Sequence, residues 1–324
     1  MALTLTTKTK RRPGFIGVEK LTLGYAALTS LIIFLFYSQI DESTYLLGQR
    51  ALIVAGILLM RYIYKRRPCR LTLFFRSVYP LALLGYWYPD TYHFSSLFPN
   101  IDHLFARMDQ LIFGYQPSLT LPGILDSKFW CELFNMGYYS YYFMIAIVPV
   151  YAFFYRYRRF EKTAFIIVCS FFLFYLVYLF VPVTGPQYYF QAIGLQMAGS
   201  GHFPAVGDWF RYHTELLPTT QYGGIFQGLV EAAQSSGERP TAAFPSSHVG
   251  MSTILIILAY KCKHALFYLF LPFYVLLCIA TVYIQAHYAV DVLGGWIAAF
   301  LFYKLSHYLY YRRVFHRPHG YRDF

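Results

Sequence analysis

The sequence predicts an all-α protein, a polytopic transmembrane helical bundle of about eight spans. Three observations carry that expectation. The chain has 324 residues, of which 57% are hydrophobic, 21% aromatic and only 13% charged, which is too apolar for an ordinary soluble domain. Apolar runs approaching about 20 residues, the length a helix needs to cross a bilayer, recur along it. Basic and acidic connectors alternate between those runs, as the positive-inside rule demands. A formal net charge of +12 would otherwise point to nucleic acid. The basic residues cluster in short connectors, so topology accounts for the charge and no nucleic-acid partner is expected. The 33 Tyr and 32 Phe suit interfacial belts and helix packing.

In chain order the apolar segments are 21–40, 46–64, 71–88, 131–155, 163–182, 246–260, 265–284 and 288–311. The third is interrupted by Arg76 and Pro80, and the sixth is short. The N-terminus carries Lys8, Lys10, Arg11 and Arg12 with no small-residue cleavage site, so the first run reads as a retained helix and not a signal peptide. Asp41 and Glu42 follow the first run, and Lys65, Arg66, Arg67 and Arg70 the second. Segment 89–130 holds Asp90, Asp102, Asp109 and Asp126. Arg156, Arg158 and Arg159 come next, then the mixed, Gly/Pro-rich connector 183–245, then Lys261 and Lys263. The tail carries Arg312, Arg313 and Arg317. This alternation is expected to leave both termini in the cytoplasm. The start of the sixth run, the turn at His287 and connector 183–245 then share the non-cytoplasmic side. Residues 109–117 are apolar on one side and are expected either to lie in the interface plane or to pack as a lid.

The five cysteines, Cys69, Cys131, Cys169, Cys262 and Cys278, have no metal-ligand spacing, which argues against a disulfide framework or a zinc site. No carboxylate cluster for magnesium is evident, and no metal or other cofactor is expected.

Two stretches carry chemistry. In Phe244-Pro245-Ser246-Ser247-His248, proline before serine reads as a helix start, with proline in the first turn and serine capping free backbone N–H groups. Those groups and the helix dipole favour an anion, and His248 projects from the same turn. In His287-Tyr288-Ala289-Val290-Asp291 the histidine and aspartate are four residues apart, one face of a helix. An aspartate accepting one ring N–H leaves the other nitrogen free to react. A single histidine at a helix edge is commonly a packed residue. Two, with Asp291 and a Pro-Ser start, make a catalytic set, because polar groups at a membrane edge are costly. Ser246 and Ser247 read equally well as a cap alone. Gly294 and Gly295 read as close helix packing, and His202 and His213 as loop residues. Gln187, Tyr188 and Tyr189 read as interfacial residues that also suit a headgroup entrance.

Pro245-Ser246-Ser247-His248 resembles the P-S-G-H motif of the type 2 phosphatidic acid phosphatase (PAP2) superfamily, with Ser247 in place of glycine. His287-Tyr288-Ala289-Val290-Asp291, followed by Gly294, resembles its H-x-x-x-D motif. The resemblance implies a six-helix core with two extra N-terminal helices. The expected parts are thus 1–70 with a cytoplasmic tail and those two helices, 71–311 as catalytic membrane domain, and 312–324 as basic cytoplasmic tail. It further implies that His287 attacks phosphorus, Asp291 orients it, His248 protonates the leaving oxygen and then activates water, and Ser246 and Ser247 hold phosphoryl oxygens.

The sequence departs from that family twice. The family's first motif, K-x6-R-P, has no match: Arg239-Pro240 is the only Arg-Pro in an outer loop, and Ala232 stands seven before Arg239. The arginine usually six before the second histidine is Thr281. Arg239 is the candidate replacement for phosphate binding, with Arg211 in support. The losses resemble the branch of inositol phosphorylceramide synthases and sphingomyelin synthases, as does Pro182-Val183-Thr184-Gly185-Pro186. The leading expectation is a lipid phosphatase acting on a lipid phosphate or diphosphate at the non-cytoplasmic face of a bilayer. The alternative is a lipid phosphotransferase that moves a phospho-headgroup to a lipid alcohol. A transporter would show mid-helix charges and paired repeats, and neither is evident. The same site would face the periplasm in a bacterium and a secretory-pathway lumen in a eukaryote.

Overall fold

A computed structural model describes residues 5–9, 14–95 and 97–312. The basic residues at 10–12 and nearly all of the basic tail, 313–324, lie outside the described residues. The fold is all-α. Its helices are α1 (Gly17–Leu35), α2 (Ser43–Arg66), α3 (Arg70–Ala82), α4 (Leu84–Asp90), α5 (Tyr92–Ser95), α6 (Asp102–Phe113), α7 (Pro117–Ile124) and α8 (Lys128–Tyr155). They continue as α9 (Tyr157–Phe180), α10 (Pro186–Ile193), α11 (Leu195–Gly199), α12 (Ile225–Gly237), α13 (Ser247–Cys262), α14 (His264–Tyr283) and α15 (Ala289–Tyr310).

Six of these, α1, α2, α8, α9, α14 and α15, are long and apolar enough to cross a membrane. The protein is therefore a multi-pass helical membrane protein by length and composition. The other two expected spans differ in a way the residues explain. Segment 71–88 is not one helix: α3 stops at Ala82, two residues after Pro80, and α4 starts at Leu84. The sixth run forms α13, apolar but only 16 residues long.

The chain divides into two compact units. One comprises the described residues of Met1–Leu84, Pro149–Phe172 and Leu301–Phe324; the other comprises Gly85–Val148 and Leu173–Phe300. In the first, α1, α2 and α3 pack around a buried ion pair. Arg76, read from sequence as an interruption, is buried and pairs through Nε with Glu19 Oε1. Its Nη2 donates to Glu19 Oε2 at 2.7 Å and to the Gly14 carbonyl at 2.6 Å. The Tyr64 ring lies 5.1 Å from the guanidinium carbon. An unpaired charge here would be expensive, so both partners are needed together.

The second unit holds both histidine motifs. α13 and α14 form an antiparallel hairpin that turns at Lys263. Two apolar clusters meet in sequence at His287. Ala286 belongs to one, with Phe134, Tyr138 and Tyr283; Tyr288 belongs to the other, with Phe105, Tyr189 and Phe190. Gly295 permits the start of α15 to lie on the start of α13, because a Cβ there would sit 2.7 Å from the Ser246 carbonyl oxygen. α6 is amphipathic in an inverted sense. Asp102, Phe105, Ala106 and Asp109 face inwards, whereas Leu111 is 84% exposed and Ile112 56%. That is the pattern of a helix whose outer side is apolar and whose inner side carries its carboxylates.

Candidate active site

The two motifs converge. His287 Nε2 lies 3.4 Å from His248 Nδ1, and both rings are buried. Local chemistry sets each half. α13 starts at Ser247, two residues after Pro245. Ser246 is its N-cap, and its Oγ accepts the Val249 N–H at 3.3 Å. Proline thus precedes the cap instead of occupying the first turn. His248 comes out of that turn between two tyrosines of α8: the Tyr138 and Tyr141 ring centroids are each 4.6 Å from its own. The Tyr178 hydroxyl donates to the Pro245 carbonyl at 2.8 Å, one residue before the cap.

His287 is not on a helix, as the four-residue spacing had implied. It sits in the turn between α14 and α15, with its backbone N–H on the Thr281 carbonyl at 3.0 Å. Its Nδ1 donates to the Ala243 carbonyl at 2.8 Å, while Asp291 Oδ2 is 3.6 Å from the same nitrogen. A carbonyl can only accept, so the ring proton is on Nδ1 and the Nε2 lone pair points at His248. Burial holds the His287 imidazole down at about 4, so it is neutral near pH 7. Asp291 is buried and completes the first turn of α15 by accepting the Tyr288 N–H at 2.9 Å. Its other oxygen, Oδ1, has no hydrogen-bond partner among the described residues.

Ser246, Ser247, His248, His287 and Asp291 are thus brought together, all buried. Arg239 is exposed and donates from Nη1 to the Glu238 carbonyl at 2.8 Å. Among the described residues neither catalytic-motif histidine has a hydrogen bond or ion pair with lysine or arginine. The Arg211 guanidinium lies 6.0 Å from the Tyr212 ring. His213 stacks on Trp209 with centroids 3.8 Å apart, and His202 is exposed.

Several residues in the site were not singled out from sequence. Tyr138 and Tyr141 carry no signal in a chain this rich in tyrosine. The Ala243 carbonyl is a backbone group, invisible to residue-type reasoning. Glu238 lies within electrostatic reach of Tyr88, Tyr138, Tyr142 and Tyr188, and burial pushes its carboxyl up to about 7. Its Oε2 is unpartnered among the described residues. Asp102 and Asp109, read as outer-loop charges, are buried on the inner face of α6. Burial pushes Asp109 up to about 6 and raises Asp102, against the hydrogen bonds each accepts.

No curated protein and no solved structure matches the chain. The family model of the PAP2 superfamily matches residues 103–305, well over half of the 324 residues and both histidine motifs. The arrangement of two facing histidines, one backed by an aspartate, agrees with that match, and the chain belongs to the PAP2 superfamily.

Proposed function

We propose that this protein is an integral-membrane lipid phosphatase that cleaves a lipid phosphate or diphosphate on the non-cytoplasmic face through a phosphohistidine at His287. The observation that carries the reading is the 3.4 Å approach of His287 Nε2 and His248 Nδ1 from separate elements. The Nε2 lone pair attacks phosphorus, and the bond to the lipid oxygen breaks with its electron pair leaving on that oxygen. His248 protonates the oxygen, then takes a proton from the water whose oxygen attacks phosphorus; the phosphorus–nitrogen bond breaks with its electron pair returning to Nε2, which releases phosphate and restores His287. The His287 ring gains positive charge in the adduct. Asp291, with Oδ2 3.6 Å from Nδ1, is placed to stabilise it. Ser246 and Ser247, at the start of α13, support the phosphoryl oxygens.

One observation favours a second reading, transfer to a lipid alcohol. Tyr138 and Tyr141 pack against His248, Glu238 lies within electrostatic reach of Tyr138, and Arg239, the nearest candidate cation in sequence, is exposed. A phosphomonoester dianion gains little there, whereas a phosphodiester carries one negative charge. The detergent-purified protein should be given labelled phosphatidic acid, a polyprenyl diphosphate and a sphingolipid phosphate, and a labelled phospholipid diester, each with and without ceramide or diacylglycerol. Free phosphate supports the phosphatase. An acceptor-dependent phosphodiester supports the transferase. No label on His287 and no product from any donor would overturn both.

A further inference from the structure

We propose that Asp102 and Asp109 of α6 are positioning residues that hold the His287 turn in its reactive geometry. This rests on the reading of His287 as the nucleophile. The two carboxylates are seven residues apart, two turns along one face of α6. Asp109 caps α15 from a distance. Position 288, the N-cap, is tyrosine, which cannot cap its own helix, and Asp109 takes over: Oδ2 accepts the Ala289 N–H and Oδ1 the Val290 N–H, each at 2.9 Å. Those two amides follow directly on the His287-Tyr288 pair.

Asp102 reaches the same histidine by two routes. Its Oδ1 accepts the Tyr288 hydroxyl at 3.0 Å, fixing the residue after His287. The carboxylate also accepts Thr184 N–H at 2.7 Å, Thr184 Oγ1 at 2.9 Å and Gly185 N–H at 2.9 Å. The neighbouring Val183 carbonyl accepts the Ala243 N–H at 2.9 Å, and the Ala243 carbonyl in turn holds His287 Nδ1. Gly185 has φ +97°, and a Cβ there would lie 2.6 Å from the Ala286 carbonyl oxygen, so this loop sits directly against the His287 turn. With the α15 amides taken by Asp109 and Asp291, this helix end is closed to an external anion. The same bonds set the height and tilt of the imidazole. An attacking nitrogen misplaced by about 1 Å costs on the order of a hundredfold in rate, so the brace has catalytic weight beyond packing.

Asp109→Asn is the test, with Tyr288→Phe as the milder variant should the first fail to fold. Hydrogen exchange of the full-length protein in detergent is compared across peptides covering 284–292 and 246–260, alongside thermal melts. The brace requires faster exchange confined to 284–292 with the melt nearly unchanged. Unchanged exchange at 284–292 overturns it whatever the activity. Loosening spread over both peptides also overturns it, since that is loss of fold. Activity on labelled phosphatidic acid, or on whichever donor the wild type turns over, adds the second readout. In single-turnover labelling of His287 the rate should fall about a hundredfold while amplitude and KM hold. A fall in amplitude at unchanged rate marks a purely structural role and sinks the proposal. A wild type that labels on no donor refutes the phosphohistidine reading instead, and the exchange data still decide the brace.

Discussion

The starts of α13 and α15 lie side by side, and each presents a histidine to the other. They are built in opposite ways. At α13 the cap is local: Ser246 closes its own first turn on Val249, and His248 follows two residues later. At α15 the corresponding position is tyrosine, and closure comes from Asp109, some 180 residues away in sequence, with Asp291 contributing the Tyr288 N–H. α12 repeats the second solution, since Glu132 accepts the Phe226 and Gln227 N–H groups at 3.0 and 2.9 Å. A locally capped helix start is sturdy and self-contained. A start capped from elsewhere ties the placement of its neighbours to another helix, which suits the side for which we propose the nucleophile.

The largest expected break in this comparison is His287→Ala. All caps remain, so the fold should hold while every phosphoryl product disappears, read by product assay with a thermal melt as control. The acid response comes next. Burial holds His287 at about 4 against 6.5 for a free imidazole, so the neutral nucleophile persists well below pH 6. The unfolded ring binds its proton first, so its contribution to stability should fall as pH drops from 6.5 towards about 4, against the opposite trend of the raised Asp109 and Glu238 carboxyls; the His287 part is the difference between wild type and His287→Ala. Melts and labelling rates across that range measure both, and a labelling rate that halves near pH 6.5 would contradict the assignment. Ser246→Ala removes the local cap and should cost about 1 kcal/mol of stability, with a smaller loss of activity than Asp109→Asn. The smallest effect is expected for Glu132→Gln at α12. It weakens a cap that makes no hydrogen bond to either histidine and should lower stability by less than about 1 kcal/mol with activity retained. Activity lost there as severely as at Asp109 would erase the difference between the two helix starts.

Reading charges along the chain explains where sequence reasoning worked and stopped. Lys65, Arg66 and Lys261 lie in the last turns of α2 and α13, and Arg67 and Lys263 in the joints that follow, so these basic runs do mark helix ends. The same logic placed Asp102 and Asp109 in an outer connector and read Arg76 as a break in a span. All three are buried and partnered by groups far away in sequence. Charge type is local information; the partner that makes burial tolerable is not. The His287–Asp291 spacing was informative about proximity and misleading about the bond, because His287 precedes the helix and the Ala243 carbonyl takes its N–H.

What the chain determined unaided follows from short-range physics. Apolar length made the helices, a Pro-Ser pair began α13, and a glycine pair let α15 approach it. Tertiary structure alone decided which acceptor holds His287, which carboxylates take the amides of its turn, and that two tyrosines pack against His248. Those are contacts across the fold, and a linear pattern carries no record of which distant atom will satisfy a buried polar group.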